Sequence, residues 1–118
     1  MLTTCEVTVR YLSGTAVLEL TGELNSSAST VLMPAYEKAV AAGDYRTVVL
    51  DFAGVDYINS TGIALVVSVL ARARAEGRTL IAAGLTEHYR EIFTITRLSD
   101  YLLMYPDVEA ALASPAEA

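Results

Sequence analysis

The sequence contains one cysteine, Cys5, one histidine, His88, and no tryptophan. A disulfide within the chain is therefore excluded, and so is a zinc site built from cysteine and histidine. Lysine is nearly absent: Lys38 stands alone beside seven arginines spread from Arg10 to Arg97, and the net charge is −6. Only Arg72, Arg74 and Arg78 come near to clustering, on the tail of a predicted helix where cations complement the dipole. An acidic chain without a basic stripe is poorly suited to nucleic acid or to an anionic membrane surface, which leaves a protein partner or a small ligand. The strongest apolar run, 63–71, is interrupted by Ser68. It falls well short of the roughly 20 residues that span a bilayer. No basic stretch followed by an apolar run opens the chain, so no signal peptide is expected and the protein reads as cytoplasmic, without direct membrane insertion. The phosphate-loop and dinucleotide fingerprints are missing, as is a Gly-x-Ser-x-Gly elbow. No metal, cofactor or catalytic residue is expected.

What is present is a globular composition. The 118 residues are 53% hydrophobic. That length predicts one domain, 1–118, with a core from about 5 to 113 and a fraying tail at 114–118. Residues 5–11 and 15–21 alternate in polarity across a Ser13-Gly14 turn and predict an N-terminal β-hairpin. Val7, Val9 and Tyr11 share one face of the first strand; Ala16, Leu18 and Leu20 share one face of the second. Gly22-Glu23-Leu24-Asn25 reads as a loop, with Asn25, Ser26 or Ser27 as a helix cap. A short turn over 27–33 and a helix over 34–42 follow, the latter with Pro34 at its first position. Residues 47–51 are apolar on both faces, as in a strand covered by helices. A loop over 52–60 then leads to a helix over 61–76 closed by Gly77. A strand at 79–83, a helix capped by Thr86 and running to about 95, a strand at 102–105 and a last helix from 106–107 to 113 complete the reading. The fold expected is a single α/β domain, a mixed sheet of four to five strands with helices mainly on one face.

The junction from Asp51 to Gly62 carries the functional signal. It places the Ser60 hydroxyl at the first turn of a helix, where unpaired N–H groups favour negative charge. Phosphate on Ser60 would be well placed. Taken alone, serine at a helix start is more often a cap. Gly62 allows a close backbone approach or merely relieves crowding against the sheet, and Asn59 suits turn geometry. A nucleophilic Ser60 lacks an activating base, because His88 lies on a separate helix expected to be exposed. In the helix that follows, Ile63, Val66, Val67 and Leu70 form a stripe expected to cover the sheet. Leu65, Ser68, Val69 and Arg72 form a second, largely apolar stripe, which is either buried or a docking surface.

Three stretches, in order, carry a resemblance. Gly22-Glu23-Leu24-Asn25, Val48-Val49-Leu50-Asp51 and Tyr57-Ile58-Asn59-Ser60-Thr61-Gly62-Ile63 are similar to STAS domains. Residues 85–112, with Tyr89, Ile92, Phe93 and Leu98, continue the likeness, which covers about 7–112. The subgroup resembled is the stand-alone anti-sigma factor antagonists. The resemblance implies a non-enzymatic protein that binds an anti-sigma factor, itself a serine kinase of the histidine-kinase-like ATPase type. It implies phosphorylation at Ser60, with Thr61 the less favoured acceptor, release of the partner, and restoration by a PP2C-type phosphatase. It implies partner contacts at Asn25, Ser26, Tyr57, Asn59, Ser60, Thr61, Gly62, Leu65, Val69 and Arg72. The family usually carries aspartate where Asn25 and Asn59 stand. The alternative is an unphosphorylated STAS adaptor or scaffold in a stress-signalling or transporter complex. A third reading, a ligand-binding domain or small hydrolase, requires a deep polar pocket near Ser60. A homodimer through the apolar flank stays open.

Overall fold

The computed structural model describes residues 4–113. The expected fraying tail, 114–118, lies outside them. Strand β1 (Glu6–Leu12) turns back into β2 (Thr15–Leu24) through Ser13 and Gly14, both at positive φ. That pair of left-handed residues matches the strand twist of a two-residue hairpin. A 3-10 turn (Ser26–Thr30) leads to α1 (Leu32–Ala41), then β3 (Thr47–Ile58), α2 (Ser60–Ala75) and β4 (Thr79–Ala83). Helix α3 (Glu87–Ile95), a second 3-10 turn (Leu98–Asp100), β5 (Leu103–Tyr105) and α4 (Val108–Ala113) follow.

The sheet has five strands in the order β1-β2-β3-β4-β5. β1 is antiparallel to β2, and every other neighbouring pair is parallel. A sheet of this kind needs cover on both faces, and the central strands are apolar on both sides for that reason. Leu18, Val48, Leu50 and Leu80 point into the larger core beneath α1, α2 and α3, with Tyr36 and Phe93. Val17, Val49, Ile81 and Ala83 form a smaller layer on the opposite face, closed by Ala111 of α4. The expected single α/β domain, with its hairpin and its helices mainly on one face, is thus observed, α4 covering the other face.

Three local expectations are corrected. Residues 22–24 and 52–58 are strand rather than loop. Pairing outweighs the turn-forming character of Gly22, Gly54 and Asp56: Gly22 lies opposite Val55 and Leu24 opposite Ile58, with two register irregularities on the way. Pro34 is the third residue of α1, not the first. It costs no helical bond there, because N–H groups of the first turn have no intrahelical acceptor. The faces of α2 are also turned. Val67 is 42% exposed whereas Val69 is 1% exposed, so Val67 lies outside and Val69 in the core.

Candidate functional site

The extensions of β2 and β3 bring two distant segments together at one end of the sheet. Glu23 pairs with Tyr57, and the Asn59 N–H donates to the Leu24 carbonyl at 3.2 Å. The turn after β2 and the start of α2 therefore share one surface.

Asparagines organise both segments. Asn25 Oδ1 accepts from the Ser27 N–H at 2.9 Å and from the Ser27 hydroxyl at 2.7 Å, while Asn25 Nδ2 donates to Glu23 at 3.3 Å. Asn25 thus caps the 3-10 turn. Asn59 is extended at φ −99, and its Oδ1 accepts from the Gly62 N–H at 2.9 Å. Asn59, not Ser60, is the cap of α2. Ser60 occupies the first helical position, is exposed, and its hydroxyl makes no hydrogen bond among the described residues. The reading of Ser60 as the cap is thereby displaced. The exposed hydroxyl sits where helix N–H groups and the dipole favour an anion.

Gly62 is buried for a packing reason. A β-carbon there would collide with the Leu24 carbonyl oxygen and press on Ile58 at 3.1 Å. The close approach holds α2 against the end of β2 and so fixes where Ser60 sits. Tyr89 contributes from α3: its hydroxyl oxygen accepts from the Ile58 N–H at 3.0 Å. That tie crosses a separation of 31 residues, and no local pattern announces it.

Of the sites expected from sequence, Asn25, Ser26, Tyr57, Asn59, Ser60, Thr61 and Gly62 gather at this end, with Tyr57 50% exposed. Leu65 is partly buried against the core. Arg72 is exposed and paired with Glu37 at 2.7 Å, on the flank facing α1. Val69 is corrected: it packs in the core and has no surface to offer a partner. The unpredicted apolar flank of α2 is Ile63, Val67 and Ala71, which lines an open groove of about 420 Å³ with the segment after α3. A four-residue spacing was its available signal.

The site has an acidic rim. Glu23 and Asp56 flank it, and neither 21–27 nor 53–62 contains a lysine or arginine. Among the described residues no group of His, Cys, Asp and Glu is arranged to hold a metal ion. No described helix is long and apolar enough to cross a membrane.

The sequence matches the family model described as "Mlab, STAS domain" over residues 7–105. The chain belongs to the STAS domain family. A curated relative of this STAS domain is the Bordetella bronchiseptica protein assigned as the anti-sigma factor antagonist BtrV. It is 31% identical over 111 residues, 94% of this chain and 92% of BtrV. Solved structures share the fold. The Bacillus cell fate determinant SpoIIAA, in its phosphorylated form, superposes with a TM-score of 0.71 at 21% identity, covering 91% of this chain and 96% of that one. A sulfate transporter family protein from Wolinella succinogenes gives 0.71 at 14% identity over 88% and 86% of the two chains. At such identities the likeness of these two structures is one of fold.

Proposed function

We propose that this STAS domain is an anti-sigma factor antagonist whose docking to an anti-sigma serine kinase is switched off by phosphate on Ser60. The observation that carries the reading is the division of labour at the start of α2. Asn59 caps the helix through Gly62 N–H, which leaves the Ser60 hydroxyl exposed and without a hydrogen bond among the described residues. A residue freed from capping is open to modification without cost to the fold. The relationship to BtrV supports the choice of partner.

Phosphorylation adds close to two negative charges and three strong acceptors at one point. The helix N-terminus tolerates that charge. An interface closed over a neutral hydroxyl does not, because the phosphate must be desolvated and neither neighbouring loop carries a cation to neutralise it. The switch is then local and needs no rearrangement of the sheet. A PP2C-type phosphatase would restore docking, and the whole cycle would run in the cytoplasm. The domain itself carries out no chemistry in this reading.

Incubation with the cognate kinase and ATP, followed by phosphosite mapping, tests the proposal. Phosphate on Ser60 is the expected result; modification confined to other residues would remove the switch.

A second reading is favoured by Asn25 and Asn59, neutral where the resemblance leads one to expect aspartate. It is an unphosphorylated adaptor in a signalling or transporter complex. Co-purification with an ATP-binding transporter subunit, rather than with a kinase and sigma factor, would select it.

A further inference from the structure

Strand β3 outruns its neighbour on one side. Its ladder with β4 ends where Asp51 lies opposite Ala83, and the β4 chain then leaves through Gly84 at φ +79. A β-carbon on Gly84 would meet the Ala53 nitrogen at 2.9 Å, so the chain departs tight against β3. Beyond that point β3 runs on to Ile58 with β2 as its sheet partner. Asn59 gives its N–H to the Leu24 carbonyl of β2. Ile58, one residue earlier, turns its N–H to the other edge, where β4 no longer runs. Ile58 is 4% exposed, and a buried N–H without an acceptor is costly.

Tyr89 answers that need. Thr86 caps α3 by accepting from the Tyr89 N–H at 3.4 Å, which fixes Tyr89 in the first turn of the helix. From there the ring packs against the main core, and the hydroxyl oxygen accepts from the Ile58 N–H at 3.0 Å. The phenol takes the place of the missing strand. Among the described residues it makes the one side-chain hydrogen bond that reaches 58–62 from another element. The Leu24 carbonyl holds the same junction from the β2 side, bonded to the Asn59 N–H and pressed close to Gly62. Ser60 is therefore carried on a backbone pinned from both edges, two residues beyond the Tyr89 bond.

We propose that Tyr89 is a positioning residue for Ser60, holding the junction so that the hydroxyl meets the phosphate donor of the serine kinase in line. The inference rests on the reading of Ser60 as phosphoacceptor and adds the residue that aims it. The Ser60 hydroxyl makes no hydrogen bond among the described residues, so its placement comes from the backbone that carries it. Without the phenol, the Ile58 N–H must reach water, and it does so by drawing the junction away from α3. The Asn59 cap and α2 survive that shift, because neither depends on Tyr89. In the transfer, the Ser60 oxygen forms a bond to the γ-phosphorus of ATP. The bond from that phosphorus to the β-phosphate oxygen breaks to leave ADP, and the hydroxyl proton passes to a base on the kinase. Such a step depends on alignment, and a displacement of about 1 Å costs up to about a hundredfold in rate.

The test compares Tyr89→Phe with Tyr36→Phe, each in the full chain. Both remove a bonded tyrosine hydroxyl and keep the ring. Tyr36 bonds Glu76 at 2.7 Å, past the other end of α2 and about 24 Å along the helix from Ser60. With the cognate kinase and ATP, Tyr89→Phe should lower kcat for Ser60 phosphorylation at least about tenfold, with KM changed less than about twofold. Tyr36→Phe should stay within about twofold of the unaltered protein in both constants. Amide shifts in Tyr89→Phe should move at Ile58 and Asn59 and hold at Val49 in the centre of the sheet. Thr86→Ala, which loosens the turn that carries Tyr89, should lower kcat in the same direction by a few-fold. An unchanged kcat in Tyr89→Phe, a loss matched by Tyr36→Phe, or a rise in KM alone would overturn the assignment while leaving Ser60 as the acceptor. Absence of phosphate from Ser60 of the unaltered protein would overturn the underlying reading, and the assignment with it.

Discussion

Asn59 and Ser60 are adjacent residues with separable jobs. Asn59 Oδ1 satisfies the Gly62 N–H, so Asn59→Ala should cost about 1 kcal/mol in urea unfolding. Ser60→Ala should stay within about 0.5 kcal/mol, because the lost hydroxyl is exposed and has no partner among the described residues. Equal costs would contradict the division of labour. Gly62→Ala should be the severe change of the three, at about 3 kcal/mol, since its methyl group meets the Leu24 carbonyl rather than a yielding side chain. Tyr36 supplies a residue-scale pH effect. Burial foremost, then the 2.7 Å hydrogen bond to Glu76 and the carboxylate charge, push its phenol from 10.0 up to about 12. The folded state thus holds the proton more tightly than the unfolded chain. The associated stability is complete below pH 10.0 and is lost as pH rises towards about 12. Tyr36→Phe should flatten unfolding free energy across that window; an unchanged slope would contradict the assignment.

At the scale of elements, the orientation of α2 decides which surface is offered. Val69→Ala should cost about 2 kcal/mol, as expected for a truncated core side chain, and Val67→Ala less than about 0.5 kcal/mol. The sequence could not settle this orientation, because α2 is apolar around most of its circumference and periodicity then has no contrast to read. Val66 and Leu70 face inward as their stripe predicts, Val67 of the same stripe lies outside, and Val69 of the second stripe takes the buried alternative. The caps were more legible. Thr86 accepts from the Tyr89 N–H, and Gly77 takes a positive φ after α2, both as local chemistry requires. Strand ends were the least legible. Gly22, Gly54 and Asp56 have turn-forming character, but the parallel pairing of β2 with β3 carries both strands through them. A ladder partner tens of residues away leaves no local trace.

At the scale of the molecule, the hairpin, the parallel crossover and the helix layer mainly on one face follow from alternation, doubly apolar strands and helix boundaries that the sequence displays directly. The gathering of Asn25 and Ser60 does not. It depends on the lengthened strands and on Gly62 admitting the backbone of β2, and it became an expectation only through resemblance to STAS domains. Ser60 lies at the exposed N-terminus of α2.

The central claim is that charge at Ser60 turns docking off while the fold is kept. The direct measurement is the dissociation constant of the cognate anti-sigma factor for unmodified and Ser60-phosphorylated protein, each shown by amide spectra to be folded. The account predicts binding weaker by at least about tenfold after phosphorylation, the loss expected when an interface must desolvate an uncompensated charge. Equal dissociation constants for the two folded forms would contradict it.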